Sequence, residues 1–386
     1  MSPSNDIQIV ECTTPQQRDE FIFFQWTPYR GNPYWVPPLI SERRVFYDKT
    51  KHPFHQHAEV AMFLAKRGGQ TVGTIYALEN FRHNEFHHEK VGMFGGFEAI
   101  DDQAVADALL DRAAAWCRAR GLTALRGPFN YSTNEECGLL LDAFDDAPRL
   151  MMTYNPPYYQ RLIEQAGFVK AMDLYAYRKD VTSIPSLDAF PPKLRRITEK
   201  IMQRGEVVIR NVDLSRFDEE VDKLKSVYNS AWERNWGFVP MTDAEFNHLA
   251  AGLRQVLDPS LIFIVEAKGK VVGFGLTLPD VNEALRRARP RPGVPEWWTL
   301  LKFFINFKFR KTIKYIRVIA LGVIPEYRLS GIDGVLYAKT AEAAMKKGYY
   351  IGEFSWILES NTAMRNALVG LGGEIYKTYR IYEKAL

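Results

Sequence analysis

EVAMFLAKRGGQTVGTIYAL, residues 59–78, and LIFIVEAKGKVVGFGLTL, residues 261–278, are one pattern written twice. Each reads as an apolar strand, a short Lys/Gly turn, then Val-Gly and a second apolar strand. Glycine supplies the positive φ of a tight hairpin turn, so both predict β-hairpins. Val72-Gly73 and Val272-Gly273 hold matching places 200 residues apart. Outward from the hairpins the correspondence continues. Gly92–Ala99 leads to a helix over Asp102–Arg120 that stops at Gly121, and a strand follows at Ala124–Pro128. Ile316–Ile324 leads to a helix over Gly334–Lys347 that stops at Gly348, before a strand at Tyr350–Ile357. Strand, helix and strand of this length imply a parallel crossover, whereas the hairpins imply antiparallel pairing in the same sheet. Both halves close alike. Asn155–Phe168 and Asn361–Gly373 each start on Asn, an N-cap type, run a helix length and stop at Gly. Tyr-rich strands follow, Leu174–Arg178 and Tyr379–Glu383.

The fold class is therefore α+β, two tandem units, each a mixed and mostly antiparallel sheet flanked by helices. The expected division is residues 1–180, a linker over 181–204 containing three prolines at Pro185, Pro191 and Pro192, and residues 205–386. The copies differ by insertions, Ser132–Leu150 in the first and Asn282–Thr312 in the second.

Composition narrows the function. The 386 residues are 46% apolar and 25% charged with a net charge of +4, an ordinary globular balance that excludes the clustered basic excess of a nucleic-acid binder. Three cysteines without a CxxC pair suggest neither a disulfide framework nor a zinc finger, and a reducing cytoplasm is the expected location. No stretch near Met1 reads as a signal peptide and no membrane span is expected. The nearest approach is Trp297–Phe309, which Lys302 and Lys308 interrupt. Six of the seven histidines, His52, His55, His57, His83, His87 and His88, lack a strict zinc spacing, so no metal is expected. The aromatic and basic run Glu296–Lys314 is expected to be buried within the protein, covering the sheet or forming a lid or a homodimer seam. An amphipathic helix lying on an anionic membrane is the alternative.

The chemistry concentrates in Val318–Val335, VIALGVIPEYRLSGIDGV. A strand ends at Pro325, and a turn then opens into a helix. Backbone N–H groups at such a start, the helix dipole and the guanidinium of Arg328 make a site for a diphosphate, with Gly331 and Gly334 letting a ligand approach the backbone. The run resembles the signature of the GNAT acyltransferases, Gln/Arg-x-x-Gly-x-Gly/Ala after a strand ending in Val-x-Pro. Arg328 and Gly331 match it, and Asp333 departs from it. Over nearly its full length the chain is also similar to the YghO-like bacterial proteins, through His52–Glu59, Asn134–Gly138, Trp232–Pro240 and Lys377–Lys384.

The resemblance implies acetyl-CoA or another acyl-CoA as co-substrate and a small-molecule or peptide amine as acceptor. Pantetheine would lie along Leu321, Gly322, Val323 and Ile324. The diphosphate would lie on Arg328, Leu329, Ser330, Gly331, Ile332, Asp333 and Gly334, with Asn361 at the start of the last helix. Phe94–Asp102 in the first half carries three acids and no Arg, which implies one competent and one degenerate lobe. Many GNAT enzymes place a Tyr acid seven residues after the helix Asn, where this chain has Leu368. Tyr376, Tyr379 and Tyr382 are the substitute acids, and Glu233, Glu353 and Glu359 the candidate bases. Trp232, Glu233, Asn235, Trp236 and Phe238 are expected to line the acceptor pocket. The competing expectations are a non-catalytic tandem binding module and a Fem-like aminoacyl transferase.

Overall fold

The computed structural model describes residues 6–386 apart from Arg234, Arg310, Lys311 and Leu329. The fold is the expected mixed α+β architecture, in two compact units. Unit 1 comprises Met1–Leu174, Ala284–Lys311 and Lys377–Leu386, and unit 2 comprises Tyr175–Glu283 and Thr312–Tyr376.

The strands of unit 1 are β1 (Ile7–Glu11), β2 (Ala58–Arg67), β3 (Gln70–Asn80), β4 (Val91–Ala99), β5 (Ala124–Gly127) and the short β6 (Leu139–Leu140). Its helices are α1 (Pro15–Phe24), α2 (Ile40–Phe46), α3 (Phe81–His87), α4 (Gln103–Ala119) and α5 (Tyr158–Gln165). Strand β7 (Val169–Asp180) leads into unit 2. There α6 (Pro192–Arg204) occupies much of the expected linker, followed by β8 (Val207–Asn211), α7 (Phe217–Trp232), α8 (Asp243–Leu253), β9 (Ile262–Ala267) and β10 (Lys270–Pro279). The insertion carries α9 (Asn282–Ala288) and α10 (Glu296–Phe304). Then come β11 (Tyr315–Val323), α11 (Ile332–Lys346), β12 (Ile351–Leu358), α12 (Thr362–Gly370) and β13 (Glu374–Ala385).

In unit 1 the strand order is β1-β2-β3-β4-β5-β13, with β6 also on β13. In unit 2 it is β8-β9-β10-β11-β12, with β7 beside β12. Both hairpins form as read. The turn residues Gly68 and Gly69, and Lys268 and Gly269, all have positive φ, which a two-residue turn between twisted strands requires. Parallel pairing joins β4 to β5 and β11 to β12, and each pair is bridged by its crossover helix, α4 or α11. Unit 1 buries Phe63, Ile75, Phe94, Leu109 and Leu125 in one core. The α11 side of unit 2 buries Phe263, Val265, Val272 and Leu336.

One cap differs from the sequence reading. Pro156 and Pro157 delay the last helix of the first half, so α5 begins at Tyr158 without a side-chain cap. Asn155 instead acts as a substitute strand partner, accepting from Leu140 N at 2.7 Å and donating to Leu140 O at 3.2 Å. Asn361 does cap its helix, accepting from Met364 N at 3.1 Å.

Candidate active site in unit 2

Strand β11 pairs in parallel with β12 over four positions, from Tyr315↔Ile351 to Val318↔Phe354. The pairing then stops, although β11 runs on to Val323 and β12 to Leu358. The cause lies on the other edge of β11. Thr277 pairs with Val318 but Leu276 pairs with Ala320, so Ile319 is an extra residue, a β-bulge that turns the strand. Beyond the bulge the two strands part. Leu321 on β11 and Phe354 and Ile357 on β12 are partly exposed there. They pack with Tyr337, Met364 and Leu368 into an apolar wall.

Of the residues expected along the pantetheine, Leu321 belongs to this wall. Gly322 has no side chain because none would fit: a Cβ there would lie 2.5 Å from the Trp232 ring. Val323 is buried in the core beside Leu336, and Ile324 N continues the ladder to Val272 O at 2.9 Å. The chain then makes one 3-10 turn at Pro325–Tyr327 and reaches the helix start. Arg328, Ser330 and Asp333 are exposed. Arg328 Nη2 donates to Ala231 O at 3.1 Å, so the guanidinium is held at the C-terminal end of α7. Ser330 Oγ donates to Tyr327 O and accepts from Ile332 N. Leu329 lies outside the described residues.

The glycines of this turn serve differently from the expectation. Gly331 has φ +85°, and a Cβ on it would meet Ile197 at 2.9 Å and Ile201 at 3.0 Å. Gly334 faces Leu194 and Ile197. These are α6 side chains, so the two glycines admit a helix against the flank of α11. The open feature of the turn is its start, where the first N–H groups of α11 have no intrahelical acceptor.

The acid and base candidates separate. Glu353, 1% exposed, accepts from Ser355 Oγ at 2.5 Å and from the Tyr376 hydroxyl. Arg317 is its register partner on β11 and stands 4.0 Å away. Arg317 Nε donates to Ser355 Oγ at 2.8 Å and Nη2 to Ser355 O at 3.0 Å. Glu353 and Tyr376 are thus brought together, one residue short of the last β11·β12 pair. Tyr376 is half-buried, so its phenol lies between solvent and the buried carboxylate. Tyr379 belongs to unit 1, buried opposite Leu140. Tyr382, also in unit 1, donates to Glu164 at 2.8 Å. Glu359 lies in the turn before α12 and its carbonyl accepts from Arg365 Nη1 at 2.8 Å. Leu368 is buried against Tyr177 and Tyr337. Arg317 and Ser355 were not singled out in the sequence, although a lone charge in YIRVIALGV was the available signal.

The expected acceptor residues divide as well. Trp232 ends α7, covers Gly322, and meets Tyr228 and Phe274 at ring distances of 4.9 and 5.8 Å. Phe238 is 5% exposed and pins the following loop to the core. Glu233 is exposed, Trp236 half-buried, and Asn235 N closes a turn onto Trp232 O at 2.8 Å. Arg234 lies outside the described residues.

The matching place in unit 1 is filled. Gly73 pairs with Ala99 as Gly273 pairs with Val323, so Glu98 holds the position of Gly322. Tyr29 and Tyr159 hydroxyls donate to Glu98 at 3.2 and 2.7 Å, and burial pushes its carboxyl up to about 8. Tyr159 also accepts from Ala99 N at 2.9 Å, and Tyr158 donates to Ala99 O at 2.8 Å. The start of α4 is capped by Asp102, whose carboxylate takes Ala104 N and the Arg67 guanidinium. Among the described residues no cluster of three or more His, Cys, Asp or Glu is arranged to hold a metal.

A mixed sheet with a bulged strand parting from its parallel neighbour over a helix start, in a chain that carries this unit twice, is a tandem GNAT fold. A tandem GNAT protein from the clavulanic acid biosynthesis pathway superposes with a TM-score of 0.56, covering 98% of both chains at 11% identity. No protein-family model matches the chain. Among full-length relatives, a protein named bacterial ceramide synthase from Caulobacter vibrioides is 37% identical over 100% of this chain and 99% of its own. Protein YghO from Escherichia coli is 35% identical over 95% of this chain and 92% of its own. The chain belongs to the family of these two proteins.

Proposed function

We propose that unit 2 is an acyl-CoA-dependent N-acyltransferase acting on a long-chain amine, and that unit 1 is its degenerate copy. The observation that carries the reading is the parting of β11 from β12 at the Ile319 bulge, directly before the α11 start. Pantetheine would run along Leu321–Ile324, where strand N–H groups freed from β12 can hydrogen-bond it. The diphosphate would meet the α11 N-terminus and Arg328. In unit 1 the same route holds Glu98 and two tyrosines, and the helix start has its own carboxylate. A ceramide is an N-acylated long-chain amino alcohol, so the relative's name supports a fatty acyl donor over the acetyl donor that the signature alone implies.

In the proposed reaction the neutral amine attacks the thioester carbonyl. The C–N bond forms, the C–S bond breaks, one amine proton is given up and the CoA thiolate takes one. Tyr376 relays the amine proton to Glu353, with Arg317 and Ser355 fixing that carboxylate. Leu368 in place of the usual Tyr favours a second reading, a binding module without turnover. The two separate in one experiment. The full chain is incubated with palmitoyl-CoA and sphinganine, and thiol release and amide mass are followed. Amide formed in proportion to thiol supports the transferase. Acyl-CoA binding without thiol release leaves the module.

A further inference from the structure

Helix α10 and the turn after it, Ile305–Phe309, are inside out. They bury polar residues, Thr299 at 2% and Asn306 at 6% exposure, and turn large apolar ones to solvent. Trp297 is 66% exposed and Phe309 72%, and Trp298, Leu300, Leu301 and Phe304 are each more than 40% exposed. The expectation that this run is buried within the protein is therefore corrected. The segment is not loose at its base, because Trp26 Nε1 donates to Pro290 O at 3.0 Å, Arg286 to Pro33 O at 3.1 Å, and Glu296 accepts from Ser41 N at 3.0 Å.

Charge indicates what covers this face. Between Ala284 and Lys314 stand nine lysines and arginines and one acid, Glu296, which Ser41 already engages. The whole chain is only +4, so the remainder is net acidic and the positive charge is concentrated in the stretch of sequence that carries the apolar face. Lys302 lies over the Trp298 ring at 5.2 Å and Lys308 over Phe307 at 4.5 Å, placing ammonium groups at the edge of the aromatic surface. Aromatic and aliphatic side chains on an outward face with lysines beside them match the boundary between acyl chains and anionic headgroups. A protein partner of ordinary composition offers no counterpart to that one-sided charge. No helix among the described residues is long and apolar enough to cross a membrane, so the contact is interfacial.

We infer that α10 and Ile305–Phe309 dock the protein onto an anionic bilayer surface, Trp297, Trp298 and Phe309 entering the headgroup boundary. This stands on unit 1 and is independent of the acyl-transfer reading, and vesicle binding can fail while acyl-CoA binding holds.

The test is co-sedimentation of the full chain with phosphatidylcholine vesicles containing phosphatidylglycerol, against phosphatidylcholine alone. The wild-type chain is expected to pellet with the anionic vesicles and to be released as salt rises. A Trp297→Ser, Trp298→Ser, Phe309→Ser variant is expected to bind about tenfold or more weakly with an unchanged melting temperature, since these side chains are exposed. Lys302→Glu with Lys308→Glu removes the preference for anionic lipid. Brominated lipid quenches tryptophan emission in the wild type more than in the variant. A wild-type chain that stays in the supernatant overturns the inference, as does equal binding by the variants. So does a dimer in sedimentation velocity that the serine variant dissolves while vesicles leave the wild type unbound.

Discussion

Arg317 and Glu353 face each other across the last stretch where β11 and β12 still pair, both almost wholly buried. A buried ion pair adds little net stability, yet breaking one partner is costly, about 3–5 kcal/mol. Glu353→Gln should therefore lower the melting temperature, whereas Tyr376→Phe removes only a hydroxyl. If Tyr376 relays a proton, Tyr376→Phe should cut kcat by about two orders of magnitude with acyl-CoA affinity unchanged. A fall in affinity with kcat intact would assign the phenol to packing. Glu98 carries a separate pH signature. Burial holds its carboxyl up to about 8 in the folded chain, against 4.5 ordinarily, so the folded state keeps a proton that the unfolded chain loses. Its contribution is complete below about 4.5 and is lost as pH rises towards 8. His55 and His83, pushed down to about 4 by burial, act in the opposite sense between 4 and 6.5. The Glu98→Gln variant isolates the first effect: thermal melts should show it gaining on the wild type between pH 5 and 8.5. Parallel curves would mean that the carboxyl is not held protonated.

At the level of elements, hairpins and crossover helices were legible because their signals are local: a Lys/Gly turn, Val-Gly pairs, a Gly stop. What stayed hidden depended on partners remote in sequence. Gly331 and Gly334 read as room for a ligand, but the room on their flank holds α6, 130 residues and more upstream. Asn155 read as a cap, but two prolines displaced the helix and Leu140 took the amide. The final strand shows the same limit. Lys377–Lys384 stood out as a motif, and the structure explains it as a seam within unit 1. Lys377 is 1% exposed with its ammonium on Asp146 O, Asp146 Oδ1 and Ala147 O, and Arg380 is bidentate on Asp173. Lys377→Met keeps the stem and removes the buried ammonium from these acceptors, while Arg149 Nη2 still reaches Asp146 Oδ1, a loss of about 1–3 kcal/mol that thermal unfolding reads directly. Gly322→Ala is a packing change at the proposed cofactor wall. Its methyl would strike Trp232, so it should cost about 1–3 kcal/mol and weaken acyl-CoA binding together.

For the whole molecule, the duplication was visible in sequence and the sorting of its pieces was not. Ala284–Lys311 and Lys377–Leu386 lie in the second half of the chain yet belong to the first compact unit. Nothing local in those residues announces it, because the contacts that decide it are to Pro33, Ser41, Asp146 and Asp173. The expectation of unequal copies rests on Phe94–Asp102 carrying three acids and no Arg; of these, Glu98 stands at the position of Gly322 and Asp102 caps α4. Two copies of the fold with one acyl-CoA site is the expected stoichiometry of the chain. Titration calorimetry of the full chain with acyl-CoA tests it most directly. One molecule bound per chain is predicted, weakened about tenfold or more by Arg328→Ala and unchanged by Asp102→Ala. Two molecules per chain, or an Arg328→Ala isotherm identical to the wild type, would contradict it.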